Sequence, residues 1–408
     1  MKKTWEQHKL GEITIDMYNG QTPSRNNSEF WKGNIPWLTS GELNHDIITD
    51  TVEKITKLGQ KDKHLRLIKK GTFVIAITGL EAPGTRGNCA LLGIDTTINQ
   101  SVMAIYPDHK KVTSDFLFDW YEKVGTEYGI TYTQGTKQQS YNVNLLSILP
   151  IMITHNLKEQ YKISQLLKIT NRLISLQQRK LEQLKQLKKV MLQRLFVQNK
   201  EKLVPIIRFN NFNIQWRLNT LNGLQENVYS GLSGKTKIDF GHGDARYITY
   251  LNVHDNIIAK VSGIDKIEKD LNQNKVEKGD ILFTISSEVP EEVALNSVWP
   301  SNYGKDLYLN SFCFGYRPIP GKVNPFFLSY YLRTPFLRKN VFPLAQGISR
   351  FNISKKNILN ISIAIPSLEE QNSIYKLLAE LDKILDQKKM NINQFKAIKK
   401  FLLQKLFI

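Results

Sequence analysis

Residues Glu159–Val197 read EQYKISQLLKITNRLISLQQRKLEQLKQLKKVMLQRLFV, and the chain closes at Glu370–Ile408 with EQNSIYKLLAELDKILDQKKMNINQFKAIKKFLLQKLFI. The two stretches align without a gap at an offset of 211 residues, from Glu159-Gln160 on Glu370-Gln371 to Leu195-Phe196 on Leu406-Phe407. Each is a helix by period. Ile163, Leu167, Thr170, Ile174, Gln177, Leu181, Leu184 and Lys188 step by alternating fours and threes, and Ile374, Leu378, Leu381, Leu385, Lys388, Ile392, Phe395 and Lys399 repeat the pattern. That spacing is the seam of a coiled coil. Leu166, Leu173 and Leu187 widen the seam to a stripe that also suits a globular body. Each helix would run about 57 Å at ~1.5 Å per residue. A helix this long needs a partner for its stripe. The simplest partner is the other copy, packed antiparallel, which gives the molecule a pseudo-twofold axis.

Working outward, the repeat extends into the segments between the helices. Trp5 recurs as Trp216, and Tyr18-Asn19-Gly20 as Tyr229-Ser230-Gly231. Lys70-Gly71-Thr72-Phe73 recurs as Lys278-Gly279-Asp280-Ile281, and Gln134-Gly135 through Asn142 as Gln346-Gly347 through Asn352. Strands are predicted at 35–39, 72–77, 88–93 and 101–106 from β-branched, turn-bounded runs. Amphipathic helices are predicted over Ser114–Tyr128 and Phe326–Leu337. Strands and helices mix irregularly, so the class is α+β. The organisation is globular head 1–150, helical region 151–200, head 208–366 and helical region 367–408, with 198–207 as linker.

Composition narrows the function. The net charge of +19 points to an acidic partner, foremost nucleic acid. Cys89 and Cys313 are too few for a disulfide framework, and the seven histidines are scattered, so no metal site and no cofactor are expected. No apolar run reaches the length of a membrane span. The first residues lack a signal-peptide core, so a cytoplasmic protein without membrane contact is expected.

Catalytic motifs come close and fail. Phe240-Gly-His-Gly243 resembles a glycine-rich cofactor loop but does not open a helix after a strand. Asn324-Pro-Phe-Phe327 lacks the second proline of the loop with which adenine methyltransferases hold a flipped base, and Pro325 suits a helix start. Asp95 with Asp108-His109-Lys110 offers two acids and a lysine, a grouping common by chance. No phosphate-cradling GxxxxGK[ST] loop is present. The reading is a non-catalytic chain with no catalytic residues.

The Trp5/Trp216 starts, the Gln-Gly…Asn loops and the paired helix ends MLQRLF and LLQKLF together resemble the specificity subunit of type I restriction-modification systems, over the whole chain. The resemblance implies two target-recognition domains, each reading one half of a split double-stranded DNA target. It implies an antiparallel coiled coil that sets the unspecified spacer, two methyltransferase subunits docked on the helical body, and restriction subunits joining them. A coiled-coil protein scaffold that does not read DNA sequence is the alternative.

Base readout needs Arg, Lys, Asn, Gln, Ser or Thr on loops held by a rigid scaffold. The candidates in the first head are Arg25, Thr85, Arg86, Lys137, Gln138 and Gln139. In the second they are Lys235, Arg246, Ser287, Ser349 and Arg350. Gly135 and Gly347 lie in matching loops and permit close approach of backbone to DNA.

Overall fold

The structure is a computed structural model that describes residues 5–82, 84–135, 139–198, 201–304 and 306–407. The chain divides into two compact units, Met1–Arg179 with Lys389–Ile408, and Lys180–Lys388. Both divisions fall inside the long helices, which span Leu157–Arg194 and Leu368–Leu406. Each unit therefore joins one head to the start of the helix that follows it and to the end of the other helix.

In the first unit a five-stranded sheet runs in the order Thr14–Asn19, Val102–Pro107, Phe73–Ala76, Cys89–Leu92, Ile47–Ile48. Its central strand is fully buried, as the unbroken apolar run Phe73-Val-Ile-Ala76 requires. The helix Ser114–Thr131 covers one face with Phe116, Leu117, Trp120 and Tyr121. A smaller sheet pairs Trp31–Leu38 with Glu53–Ile55 and, in parallel, with Thr97–Ile98. The second unit repeats both sheets. Gln225–Ser230, Cys313–Pro318, Ile281–Thr284 and Asn296–Val298 form one, and Phe240–Ile248 takes Ile264–Ile267 antiparallel and Leu307–Leu309 parallel in the other. The predicted Phe326–Leu337 helix is two helices, Pro325–Leu332 and Pro335–Val341. Pro335 has no N–H to continue the first helix and disfavours helical backbone at Thr334.

The repeated residues at the helix starts do repeated work. In the first unit Trp5–Lys9 pairs antiparallel with Pro150–Thr154, and Trp5 Nε1 donates to Glu159 at 3.4 Å. In the second Arg217–Thr220 pairs with Ser362–Ile365, and Trp216 Nε1 donates to Glu370 at 3.2 Å. The next residue, glutamine in both, is fully buried. Gln160 accepts from the Thr113 backbone N–H at 3.1 Å and donates to the carbonyls of Lys111 and Thr154, both at 2.8 Å. Gln371 accepts from the Asn324 N–H at 2.7 Å and donates to the Pro366 carbonyl at 2.9 Å. Thr113 and Asn324 are the N-caps of the two head helices. The glutamine thus fixes the start of the long helix to the start of the head helix through backbone groups that burial would otherwise leave unpaired.

The paired helix ends explain the composite units. Phe407 packs on Phe116, with ring centroids 4.9 Å apart, and edge-on to Trp5 at 6.3 Å. Phe196 packs on Phe327 at 5.4 Å and stacks on Tyr331 at 4.8 Å, beside Trp216. The similar hexapeptides close similar cores, but each closes the core of the opposite repeat. Lysines in the helix seams meet carboxylates in both units. Lys399 bonds the buried Glu122 at 2.7 Å, and Lys188 bonds Asp382, which also accepts from the Tyr330 hydroxyl at 2.5 Å.

Candidate nucleic-acid interface

Both heads carry a short hairpin built around the Gln-Gly loop. In the first, Gln134 bridges Ser140, and Ser140 also bridges Thr78 at the end of the buried central strand. In the second, Gln346 bridges Asn352, and Phe351–Asn352 pairs with Ser286–Ser287 just past the matching central strand. Gly135 and Gly347 take left-handed φ values of 101° and 137°. A Cβ on Gly347 would lie 2.1 Å from the Arg350 carbonyl oxygen, so the hairpin admits no side chain there. This geometry explains the glycines by the turn itself.

In the first unit the loop after the central strand and the Gln-Gly hairpin are tied together. Leu80 N–H donates to the Gln139 carbonyl at 3.1 Å, and Gln139 N–H donates to Glu81 Oε2 at 2.9 Å. Thr85, Arg86 and Gln139 therefore belong to one cluster. Arg86 spends its guanidinium on the carbonyls of Leu80 and Glu81, at 2.8 and 3.1 Å, and so braces the loop. Lys137 and Gln138 lie outside the described residues. Arg25 belongs to the smaller sheet instead. It holds Glu53 in a two-pronged pair at 2.5 and 2.8 Å and lies 3.7 Å over the Trp31 ring. The hydrogen bond to Glu53 raises its pKa further.

In the second unit Ser287, Ser349 and Arg350 come together through the paired strands at Ser287 and Phe351. Ser287 is buried, and its Oγ accepts from the Val289 N–H at 3.1 Å. Ser349 and Arg350 are exposed, with the Arg350 guanidinium 4.8 Å over the Phe312 ring. Phe312 is half-exposed and was not among the candidates; an apolar residue in the polar loop Asn310-Ser311-Phe312-Cys313 was its one signal. Lys235 and Arg246 sit apart from this cluster. Lys235 is only 13% exposed, pairs with Asp270 at 2.9 Å, and has its pKa raised by that bond. Arg246 donates to the Gly243 and Ala245 carbonyls within its own strand. Arg25, Arg86, Lys235 and Arg246 all have internal partners, whereas Ser349 and Arg350 face solvent.

The near-miss motifs have structural roles. Gly241, His242 and Gly243 form a bulge in the strand Phe240–Ile248, where the register jumps between Phe240 and Ala245. Asn324 caps its helix through Phe326 N–H and Phe327 N–H, and Pro325 follows at the first helical position. Asp95 pairs with Lys69 at 2.8 Å, and Asp108 accepts from Lys110 N–H in a turn. Asp95 and Asp108 are thus each occupied locally. The scattering expected of the histidines fails at one place: strand pairing brings His8 and His155 together beside Glu6.

A family model for the type I restriction modification DNA specificity domain matches residues 2–186 and again residues 216–395. A putative type I restriction enzyme MjaX specificity subunit from Methanocaldococcus jannaschii is 27% identical over 202 residues, 47% of this chain and 45% of that protein. The type I restriction enzyme EcoR124I/EcoR124II specificity subunit of Escherichia coli is 25% identical over 162 residues, 39% of each chain. The matched stretch thus spans less than half the length of either relative. The crystal structure of a type I restriction-modification S subunit from M. genitalium superposes with a TM-score of 0.60 at 18% identity, covering 99% of this chain and 96% of that one. That last likeness is one of fold. Among the described residues no helix is long and apolar enough to cross a membrane.

Proposed function

The chain belongs to the type I restriction-modification DNA specificity family, and we propose that its two heads, residues 1–150 and 208–366, each read one half of a bipartite duplex DNA target. The single observation that carries this reading is the paired hairpin. Both heads close their Gln-Gly loop with a bridge, Gln134 to Ser140 and Gln346 to Asn352, against the end of the matching buried strand, yet carry different residues in it. A common frame with divergent loops is what two readers of unlike half-sites need.

On this reading the exposed Ser349 and Arg350 in the second head, and the half-buried Thr85 and Gln139 of the two tied loops in the first, make the base contacts. Arg86 braces the loop that carries Thr85, whereas Arg25, Lys235 and Arg246, each held by an internal partner, lie outside these clusters. The helices pair as an antiparallel coiled coil, set the number of unread base pairs, and offer their outer faces to methyltransferase subunits, which restriction subunits join. The chain itself breaks no bond, needs no cofactor and works in the cytoplasm. Binding of duplexes to the chain reconstituted with its methyltransferase tests the reading. Affinity should fall linearly in log–log with salt, and a duplex carrying the target should outcompete scrambled duplexes by at least ~10³-fold. Equal affinity for all sequences would favour a scaffold that does not read DNA.

A further inference from the structure

We propose that the root of the first head is a binding site for one divalent transition-metal ion, of the zinc or copper class, held by His8, His155 and Glu6. One ligand atom from each lies within 4.8 Å of the others. Trp5–Lys9 places Glu6 and His8 on one face of its strand, and His155 follows the partner strand Pro150–Thr154. His155 Nε2 lies 2.8 Å and His8 Nε2 4.0 Å from the same oxygen, Glu6 Oε2, and the two rings stand edge to face at 5.7 Å.

Two features distinguish this group from an ordinary surface ion pair. His8 turns its Nδ1 toward Glu12 Oε2 at 3.6 Å, while its Nε2 is shielded from solvent and has no hydrogen-bond partner. A shielded ring nitrogen with no hydrogen-bond partner, beside a second imidazole and a carboxylate, is a group that a bound metal would satisfy. The second feature is its confinement to one head. At the same register the second head has Arg217, Asn219 and Pro366 in place of Glu6, His8 and His155, although it keeps the neighbouring Trp216, Glu370 and Gln371. The Trp–Glu–Gln root needs no such cluster to form. Two imidazoles and one carboxylate suit a borderline ion and leave a fourth position for water. The ion clamps together the two strands on which the first long helix begins.

The test is calorimetric titration of the untagged full chain with ZnCl2, with MgCl2 as the control. One zinc per chain is expected, with no heat from magnesium and a raised unfolding temperature for the zinc-loaded protein. His155→Asn, at an exposed position, and His8→Asn should each weaken zinc binding at least tenfold. Glu6→Gln should likewise weaken it at least tenfold by removing the carboxylate ligand. Histidine-side-chain NMR of the unaltered chain gives an independent readout, in which zinc should shift the Nε2 signals of two histidines. Absence of saturable zinc binding, or zinc binding unchanged in both His8→Asn and His155→Asn, would overturn the proposal.

Discussion

One turn of helix carries opposite charge in the two halves of this molecule. In the first head helix the acidic residues turned inward are Asp119 and Glu122, whose side chain is 5% exposed. An offset of 211 places Tyr330 and Arg333 at the same steps of the second. Glu122 is met by Lys399, and Arg333 spends its guanidinium on the carbonyls of Asn296, Val253 and His254. Around both, the Trp–Glu–Gln root is unchanged. The backbone frame is therefore held by the root, and the charge beneath it is interchangeable when each buried group finds a partner. Asp119 is the exception. Its Oδ2 has no hydrogen-bond partner, and burial pushes its carboxyl up to about 8.

The strongest way to break the comparison is at the tryptophans. Trp216 is 1% exposed among Phe327 and Tyr331, whereas Trp5 is only partly buried. Trp216→Ala should cost about 3–5 kcal/mol in urea unfolding, and Trp5→Ala distinctly less. Equal losses would mean that the depth of burial does not set what each tryptophan contributes.

Asp119 gives the next effect. An unfolded aspartate ionises near 3.9, but the folded group keeps its proton to about 8. Between those values the unfolded chain binds fewer protons, so the stability of the first unit falls as pH rises from about 4 to about 8. Asp119→Asn should remove that slope and raise stability at pH 8 by a few kcal/mol. The unit containing Tyr330 should show no such change.

The glutamines sharpen the likeness. Gln160→Ala leaves the Thr113 N–H and two carbonyls without their partner, and Gln371→Ala leaves the Asn324 N–H and one carbonyl. Each orphaned buried group costs about 1–3 kcal/mol before water or relaxation compensates. Both variants should destabilise, with Gln160→Ala the worse, as thermal unfolding will show. Arg350→Ala should change stability least, within about 0.5 kcal/mol, yet weaken binding of the cognate duplex by about 1–3 kcal/mol if the guanidinium reads a base.

The repeat itself was legible because period and register survive divergence. The strands at the head centres and the long helices appear where the apolar patterns put them. The sequence could not show which head each helix end completes. MLQRLF and LLQKLF are nearly the same text, and only packing places Phe196 with Trp216 and Phe407 with Trp5. The candidate contact residues were legible by type but not by state. Glu53 engages Arg25 and Asp270 engages Lys235 from separate strands and turns, and no local pattern marks such partners. Histidine spacing likewise hides His8 from His155, because antiparallel pairing brings together the two ends of a head.

The central claim is that this chain selects a DNA sequence in two separate pieces. Long-read mapping of methylated bases in the host genome, with and without this gene and with its methyltransferase co-expressed, tests it most directly. The account predicts that a motif of two short half-sites around a fixed gap loses adenine methylation when the gene is removed. Methylation of every such motif that persists unchanged without the gene, while the methyltransferase is active, would contradict it.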